Sequence, residues 1–495
     1  MEVNIIHYLF EALQILKFEL FIGLVVFLII NWLQRGKNLP PGPRGLPVLG
    51  YLPFLGSEAY RTLHNLTDKY GPIFSFYLGR KLVVVLGNYD VVKEALSNNK
   101  IMDRPKNPPN HLLPNSTSLS VSNGLIWKEQ RRFSVQVLRE LGMAKSKMED
   151  FIQIQLNMLM EVIDSKKGSP INLDEILLPS VSNVVLTMLT GRSLDFKDKD
   201  RLFLNKMLQT MVVFFRPTRF HAYFPSLRYW VAKLKIWGYD QAEYYMDKFE
   251  KFIVAQIENH KKALDNHYVQ NYIDSYLLVL KSKAEKVSSF SEKMLKGNFQ
   301  SFFSAGSTPS RATVEWCFMS MLCYPEVQKA IHEELDAVVG KDRRPTWNDH
   351  LMLPYTMSVI YEVMRQNTIV PISMLRCTSK RTQIAGYDIP KDTIVMPNIW
   401  GVHHDPKDWD DPFIFKPERF LKDGKAVKPQ AFIPFSYGRR NCPGEDMAII
   451  MVFLFFTSLM QRYSITLPDS DSGIKQVVGV AKLVILDNVC LKRRF

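Results

Sequence analysis

The chain has 495 residues, of which 46% are hydrophobic and 23% are charged, so a disordered chain is excluded and most of it should fold around a core. The formal charge of +14 favours anionic partners such as lipid headgroups or an acidic protein surface. The basic residues are scattered, and the sequence lacks helix-turn-helix, zinc-finger and RNA-binding signatures, so we expect no nucleic-acid partner.

The first predicted element is a hydrophobic segment near the amino terminus. Residues 20–33 read LFIGLVVFLIINWL, and counted back to Ile15 the segment approaches the roughly 20 residues that span a bilayer. No small-residue cleavage site follows it. Arg35 and Lys37 come directly after it, so the positive-inside rule places the rest of the chain in the cytosol. We predict a single-pass membrane anchor over residues 1–34, with an interfacial or re-entrant segment as the alternative.

A segment rich in proline and glycine comes next. Residues 39–50 read LPPGPRGLPVLG, in which prolines fix φ and bar helix while glycines permit sharp turns. This composition predicts a stiff hinge over residues 35–50. Beyond it, no low-complexity spacer, internal repeat or composition break divides the chain. Residues 51–495 are therefore predicted to form a single domain.

The remaining elements are mostly helical. Two alternating segments, 73–79 and 81–87, predict a pair of strands that meet near Gly79. Helical patterns follow at 147–164, 241–264 and 326–340. The C-terminal third mixes short strands with long loops. The sequence thus predicts a mainly α fold with a minor β component, whose strands lie near both ends of the chain.

The cysteines single out one loop near the C-terminus. The chain has five, widely spaced and without zinc-ligand pairing, so a disulfide scaffold is not expected and a reducing compartment is favoured. Residues 435–444 read FSYGRRNCPG. The segment resembles the haem-binding loop of the cytochrome P450 superfamily, and all five fixed positions of that loop match: Phe435, Gly438, Arg440, Cys442 and Gly444.

The resemblance implies that the thiolate of Cys442 is the metal ligand, bound axially to haem b (iron protoporphyrin IX). A thiolate is a soft, electron-rich ligand, and it stays deprotonated only with N–H donors around the sulfur. Arg440 is suited to neutralise a haem propionate and Phe435 to cover the sulfur. Gly438 and Gly444 would let backbone and haem approach closely.

Further matches follow the family order along the whole chain. Glu362 and Arg365 match its Glu-x-x-Arg helix, and Arg419 lies in the loop that completes a Glu–Arg–Arg network with a structural role. Trp127 and Arg131 match the Trp-x-x-x-Arg haem-contact helix.

The resemblance extends to a further haem contact and to the partners of the chain. Arg376 falls where the family places another propionate partner. The fold implied is that of the family, a helical haem-binding domain with small sheets behind an N-terminal membrane anchor. The membrane-anchored animal type implies an endoplasmic reticulum location with the catalytic domain on the cytosolic face. It also implies electrons from NADPH through cytochrome P450 reductase, with cytochrome b5 as a further possible partner.

One segment departs from the family pattern. In the helix that crosses the haem, most relatives carry an acid followed by an alcohol that relay protons during oxygen activation. Residues 304–316 read SAGSTPSRATVEW, which puts Thr308 at the acid position and Pro309 at the alcohol position. Pro309 cannot donate to the carbonyl of Ala305, so the helix should bend and free an acceptor there. We predict that this carbonyl, with Thr308 or Ser310, holds a water chain that replaces the usual relay.

Three functions remain open from the sequence. The first is a monooxygenase that inserts one atom of O₂ into a lipophilic small molecule. The second is an isomerase, dehydratase or peroxygenase that acts on an oxygenated lipid without activating O₂. The third is a haem-binding sensor or inactive relative. The segments expected to line the access route are mostly apolar, which favours a lipophilic substrate reached partly through the membrane: 107–122, 203–230, 369–375 and 477–482.

Overall fold

The structure is a computed structural model, and it describes residues 14–23, 26, 38–105, 117–142, 146–215, 223–265, 269–282, 289–468 and 473–495. Within these ranges the α-helices are, in chain order, α1 Ala59–Tyr70, α2 Tyr89–Ser97, α3 Gly124–Glu140, α4 Ser146–Ser165, α5 Leu173–Thr190, α6 Lys199–Phe214, α7 Pro225–Lys233, α8 Tyr239–Ala263, α9 Tyr272–Ser282, α10 Glu292–Cys323, α11 Pro325–Val338, α12 Pro354–Asn367, α13 Ile399–His403 and α14 Glu445–Arg462. The strands are β1 Ile73–Leu78, β2 Lys81–Leu86, β3 Arg376–Cys377, β4 Thr382–Ile384, β5 Tyr387–Ile389, β6 Ile394–Pro397, β7 Leu421–Lys422, β8 Lys425–Ala426, β9 Tyr463–Thr466, β10 Gly473–Val478, β11 Lys482–Asp487 and β12 Cys490–Arg493.

The largest sheet joins distant parts of the chain. Its strand order is β1-β2-β6-β3, in which β1 and β2 are antiparallel while β2 and β6 are parallel. The predicted strand pair is confirmed, and its register pairs Ile73 with Leu86. The other described sheets are two-stranded: β10-β11, β12-β9, β4-β5 and β7-β8. The mainly α fold with small sheets is confirmed.

Helix α10 runs through the middle of the core. It begins after Ser291, whose side chain accepts a hydrogen bond from the N–H of Met294 as an N-cap. It packs against α5, α12, α14 and strand β11. The helix continues without a break through Pro309. Because α5 and α14 are themselves almost entirely buried, α10 is enclosed by apolar helices on more than one side.

The predicted membrane anchor lies mostly outside the described residues. Of residues 1–34, the structure describes a helical stretch at 14–23 and residue 26, and its apolar side chains are exposed, with Phe18 at 64% and Leu20 at 65%. One described helix is long and apolar enough to cross a membrane, namely α5, but 89% of it is buried inside the protein. Helix α5 therefore has the burial of a core helix.

The described part of the predicted hinge is attached to the body. The backbone N–H of Ser75 in β1 donates to the carbonyl of Pro41 at 2.7 Å, and its hydroxyl donates to the carbonyl of Pro40 at 2.7 Å. Gly42 has no room for a side chain, since a Cβ there would lie 2.1 Å from the carbonyl oxygen of Ser75. Residues 40–50 thus form a strap along β1.

A buried ion-pair network connects α12 to the segment that precedes the loop containing Cys442. Arg365 donates to both carboxylate oxygens of Glu362, at 2.7 and 2.8 Å, and both side chains are fully buried. Arg419 Nε lies 3.3 Å from the same carboxylate. Arg365 also donates to the carbonyls of His403 and Pro412. The Glu–Arg–Arg network expected from the sequence is present, and its contacts hold the backbone of residues 403–414.

Candidate active site

The loop that contains Cys442, residues 433–444, is called the cysteine loop below. Three backbone hydrogen bonds between nearby residues fold it. The N–H of Ser436 donates to the carbonyl of Ile433 at 2.9 Å, and the N–H of Asn441 donates to the carbonyl of Gly438 at 3.0 Å. The N–H of Cys442 donates to the carbonyl of Phe435 at 3.0 Å, which closes the loop. Two of the predicted residues, Phe435 and Cys442, are therefore joined directly by the backbone.

The structure gives Gly438 a packing role in addition to the close approach of haem that the sequence predicts. Its φ of +77° lies in the left-handed region, and a Cβ there would sit 2.1 Å from the carbonyl oxygen of Leu96 at the end of α2. Gly438 thus permits close packing between protein segments. At Gly444, by contrast, the nearest atom to an added Cβ is the Cys442 sulfur at 4.0 Å, which is ordinary contact. Within the protein, Gly444 is not sterically required.

Cys442 lies at the start of a helix. It is a free cysteine two residues before Gly444, the N-cap of α14. Its side chain is accessible, yet the surrounding protein raises the pKa of the thiol by desolvation, while the N–H of Gly444 and the charge of Arg131 act to lower it. A helix N-terminus and a nearby cation both stabilise a thiolate. The sulfur is thus placed where a positively charged partner such as a metal ion would bind the deprotonated form.

Four arginines gather around this loop. Arg440, Arg376 and Arg104 are buried and Arg131 is half-buried. Desolvation, followed by repulsion from the neighbouring guanidinium groups, lowers the pKa of Arg376 to about 9. Burial lowers the pKa of Arg440 to about 10, with Asp103 acting in the opposite direction. Among the described residues, none of the four arginines has a carboxylate within ion-pair distance.

Two buried arginines that were predicted to contact haem use only part of their hydrogen-bond donors. Arg376 donates one hydrogen bond to the carbonyl of Arg440 at 2.9 Å, and its other terminal nitrogen, Nη1, has no partner within the described chain. Arg440 donates through Nη2 to the carbonyl of Ser122 and to Asn123, but its Nε and Nη1 have no partner there. The guanidinium of Arg440 stacks 4.3 Å from the ring of Trp127.

These orphaned donors test whether haem fits the site. Buried cationic N–H groups without acceptors are costly, so their native partner should be an anion that is not part of the protein. The propionates of haem would supply two such anions, and the Cys442 thiolate would supply a ligand for its iron. On helix α10 the side chain of Ala305 is exposed, although those of nearby Phe303 and Ser307 are fully buried. Because α10 lies in the core, Ala305 faces an open space inside the protein. The residues present therefore fit the group.

Three contributors escaped the sequence analysis. Arg104 donates to the carbonyls of Met374 and Leu375. The side chain of Asn123 accepts from the backbone N–H of Arg104 at 2.7 Å and donates to its carbonyl at 2.9 Å. No local motif marks either residue. The third, Asn441, binds Arg131, and its only sequence signal is its position next to Cys442.

The predicted relay residues lie on α10 without forming one cluster. Thr308 and Ser310 are both buried, at 7% and 4% exposure, and no hydrogen bond reaches either hydroxyl from the described part of the chain. In a regular helix Thr308 is rotated about 60° from Ala305, whereas Ser310 is rotated about 140° from it. Thr308 therefore shares a side of the helix with Ala305, and Ser310 points to the other side.

A groove of about 790 Å³ opens on the cysteine side of the loop. It is lined by five cationic and three anionic side chains, together with Trp127 and Cys442: Lys128, Arg131, Arg132, Arg139, Arg439, Glu140, Glu445 and Asp446. The groove thus carries a net positive charge next to the sulfur. Such a surface attracts an acidic protein.

Comparisons with known proteins bear on this site. The family model described as Cytochrome P450 matches residues 40–485. Cytochrome P450 2J1 of Oryctolagus cuniculus is 33% identical over 481 residues, which cover 95% of this chain and 95% of the relative. Cytochrome P450 2A9 of Mesocricetus auratus is 34% identical, covering 93% and 95%. Cytochrome P450 18a1 of Drosophila melanogaster is 33% identical, covering 96% and 91%.

Proposed function

Because the chain belongs to the cytochrome P450 family, we propose that it inserts one oxygen atom of O₂ into a lipophilic small molecule, with electrons supplied by an NADPH-dependent reductase. As a member of this family, the protein is an oxidoreductase of the haem-thiolate monooxygenase class, which binds haem through a cysteine thiolate. The observation that carries the proposal is the pairing of Cys442 at the start of α14 with the unpartnered donors of Arg376 and Arg440.

We assign the haem-binding roles from these contacts. Cys442 would hold the haem iron through its thiolate, with the N–H of Gly444 as a donor to the sulfur. Arg376 and Arg440 bind the propionates, since they alone among the predicted arginines have buried donors to spare in the described structure. Trp127 supports Arg440 by stacking on it. When bound, haem with a thiolate ligand supplies the electron-rich iron that favours O–O cleavage.

The proton supply is assigned to Thr308 and the backbone of Ala305. Pro309 has no N–H, so the carbonyl of Ala305 lacks the hydrogen bond that a helix normally gives it. Thr308 lies on the same side of α10, and its hydroxyl has no described partner. These two groups are suited to order water molecules at the open face of the helix. A step that consumes protons would then draw them through these waters.

The same segment favours a second candidate function. An enzyme that rearranges or dehydrates an already oxygenated lipid, or that uses a peroxide, does not need to activate O₂. The replacement of the usual acid and alcohol by Thr308 and Pro309 is the specific observation in its favour. The two candidates differ in their oxidant, which makes them separable by experiment.

A lipophilic substrate is supported by a satellite apolar cluster. The cluster joins α6, α10, the loop after α12 and the β10–β11 hairpin, and its buried members are Val212, Ala312, Ile369, Ala481 and Leu483. Three of the segments expected to line the access route contribute to it. Ala312 lies about 20° around the axis of α10 from Ala305. The apolar cluster therefore lies on the same face of α10 as the exposed Ala305, about two turns further along.

Association with the endoplasmic reticulum membrane is supported by exposed apolar side chains. Besides the helical stretch 14–23, the end of α7 and the turn after it expose Tyr229, Trp230, Leu234 and Trp237 next to Lys233. Aromatic and basic side chains together suit the headgroup region of a membrane. We propose an anchor over residues 1–34, a strap within 35–50 and one catalytic domain over 51–495, on the cytosolic face. Cytochrome b5 is a further candidate partner for the cationic groove.

The proposal is tested by supplying two oxidants to the purified, haem-loaded protein on one panel of lipophilic probes. One supply is reductase, NADPH and O₂, and the other is an organic hydroperoxide alone. We expect product from the first supply, with little of the NADPH lost as hydrogen peroxide. The Cys442→Ser variant, which lacks the thiolate, is the control and should give no product with reductase. Product only from the hydroperoxide would reject O₂ activation and support the second candidate.

A further inference from the structure

Three serine hydroxyls form a hydrogen-bonded chain where the loop before α3 meets α10. The Oγ of Ser118 lies 2.8 Å from that of Ser120, which in turn lies 2.9 Å from the Oγ of Ser301 on α10. Ser118 is buried, at 5% exposure, whereas Ser120 and Ser301 are half-buried. The chain of hydroxyls therefore begins inside the protein and ends at an accessible pair.

A count of protons shows that this chain has one hydrogen-bond donor to spare. Each hydroxyl carries one proton, and the two hydrogen bonds use two of the three. The third proton is then free on Ser118, Ser120 or Ser301. On Ser118 it would be buried without an acceptor from the described residues, which is unfavourable. The free donor therefore belongs to the half-buried pair, Ser120 and Ser301, and no described residue accepts from it.

This pair lies beside the open space that Ala305 faces. Ser301 is one turn before Ala305 and Pro309 one turn after it, each about 40° around the axis of α10. Ser301 and Pro309 are half-buried and Ala305 is exposed, whereas Phe303 and Ser307 on the opposite side of the helix are fully buried. The spare donor is thus on the accessible face of α10.

The loop that carries Ser120 is fixed against α10 by a buried asparagine. Asn298, which is fully buried on α10, accepts a hydrogen bond from the backbone N–H of Leu119 at 2.7 Å. Its amide group donates to Gln130 at 2.9 Å and to Tyr272 at 3.1 Å, so its own orientation is fixed as well. The hydroxyl pair is therefore held in place by the protein, which lowers the cost of binding a ligand there.

The accessible face of α10 is polar at one end and apolar at the other. Ser301 lies about 6 Å along the axis before Ala305, and Ala312 of the apolar cluster lies about 10 Å after it. A molecule that touched both ends would be roughly 16 Å long. The reacting position of such a molecule, opposite Ala305, would be closer to its polar end.

We propose that the hydroxyl pair of Ser120 and Ser301 binds a carbonyl or hydroxyl oxygen at one end of an elongated lipid, whose apolar body extends toward Ala312. This inference rests on the proposed function and names its substrate class. A lipid without such an oxygen would leave the spare donor unpaired when it displaced water from this face, so the pair would select against hydrocarbons.

The experiment uses two probes of the same shape on the full, haem-loaded chain. One is methyl dodecyl ketone, and the other is the alkene in which a CH₂ group replaces its carbonyl oxygen. Dissociation constants are read from the change in the Soret band on binding. The double variant of Ser120→Ala and Ser301→Ala should bind the ketone roughly three- to tenfold more weakly than the unsubstituted protein. Its affinity for the alkene should be unchanged. Each ratio concerns one probe, so partitioning into detergent cancels.

Two further variants separate a hydrogen bond from packing. Ser304→Ala is the matched control, because Ser304 is also half-buried on α10 and has no described hydrogen bond, but it lies about 60° around the axis from Ser301. It should bind the ketone as the unsubstituted protein does. Ser301→Thr keeps the hydroxyl and should keep the preference for the ketone. It also provides the comparison if the double variant does not fold.

Several outcomes would overturn the inference. Equal losses for ketone and alkene in the double variant would mean that the serines act by packing. An unchanged affinity for the ketone in that variant, or an equal loss in Ser304→Ala, would mean that the pair does not bind the oxygen. Failure of the ketone to bind the unsubstituted protein would reject the substrate class. Absence of a thiolate-type Soret band would instead reject the proposed function, and the rise in melting temperature with each probe would then give the same comparison without the iron.

Discussion

At the scale of single residues, Gly438 shows how a motif position can be required by packing inside the protein. Both its φ of +77° and its contact with the carbonyl of Leu96 exclude a side chain. The sequence motif identified the position, but the partner lies on α2, more than 300 residues earlier, and no local pattern points to it. The reason for the glycine was therefore available only from the structure.

Gly438→Ala should destabilise the protein strongly. The left-handed backbone costs an alanine about 1–2 kcal/mol, and the clash with Leu96 adds about 1–3 kcal/mol of overpacking strain. Gly424→Ala is the matched control, because Gly424 also has a left-handed φ, +69°, but nothing lies within 4 Å of its added Cβ. Thermal denaturation should show a clearly larger loss for Gly438→Ala. Equal losses in the two variants would mean that the backbone conformation alone accounts for the glycine.

Glu315 is a second residue whose role depends on its surroundings. It is fully buried on α10, with its Oε2 3.5 Å from Arg311 Nε, and Arg311 is in contact with the carboxylate of Asp174 on α5. One guanidinium thus faces two carboxylates. Burial raises the pKa of Glu315 to about 7, although Arg311 lowers it in part. Asp174 is the closer partner of Arg311, so the guanidinium offsets the burial of Glu315 only in part.

This raised pKa predicts a stability that falls as pH rises. Between the ordinary pKa of 4.5 and about 7, the folded protein binds a proton that the unfolded chain has released. The stabilisation is complete below pH 4.5 and is lost as pH rises through 7, with an upper limit of about 3 kcal/mol. Glu315→Gln cannot titrate, so its melting temperature relative to the unsubstituted protein should be higher at pH 7.5 than at pH 5.5. The exposed Glu333→Gln is the control, and a pH-independent difference for Glu315→Gln would refute the raised pKa.

At the scale of elements, helix α10 carries the part of the site that departs from the family. The sequence predicted its disrupted hydrogen bond from Pro309, and the helix does run through this residue. It also predicted that Thr308 or Ser310 completes the relay, without weighing their directions. Helix geometry separates the two, because Thr308 lies about 60° and Ser310 about 140° around the axis from Ala305.

The two hydroxyls should therefore differ in their effect on catalysis. Thr308→Val is expected to lower the fraction of NADPH electrons that reach product by several-fold, because it removes a water-ordering group at the open face. Ser310→Ala should leave that fraction unchanged. The measurement compares product formed, hydrogen peroxide released and NADPH consumed with one substrate. Equal coupling in Thr308→Val and the unsubstituted protein would exclude Thr308 from the relay.

At the scale of the whole molecule, the periodicity of the sequence predicted local elements, and the long-range features that were expected came from the family resemblance. Periodicity located the β1–β2 pair and several helices, because an amphipathic pattern is a local property. The parallel pairing of β2 with β6 joins residues 83 and 394. The hydrogen bond from Arg131 to Asn441 joins residues that are similarly far apart in the sequence. The cluster of four arginines arises only when these segments meet. Spacing within a motif carries no information about such contacts.

The cationic groove gives a prediction that involves the molecule as a whole. Its net positive charge adjoins Cys442, so a reductase that docks there would deliver electrons close to the haem. Charge reversal in Arg132→Glu should raise the KM for reductase roughly two- to fivefold at low salt, and the difference should shrink as salt screens the charges. Turnover with an organic hydroperoxide should be unaffected, because that route needs no reductase.

The control for this prediction is Lys391→Glu. Lys391 is exposed and lies outside the groove lining, so its reversal changes the net charge of the protein by the same amount. If both reversals raise the KM equally, the reductase responds to the overall charge of +14 and not to the groove. If only Arg132→Glu raises it, the groove is where the reductase binds. A loss of hydroperoxide turnover in Arg132→Glu would instead indicate damage to the cysteine loop itself, and the groove would then not be established as a docking surface.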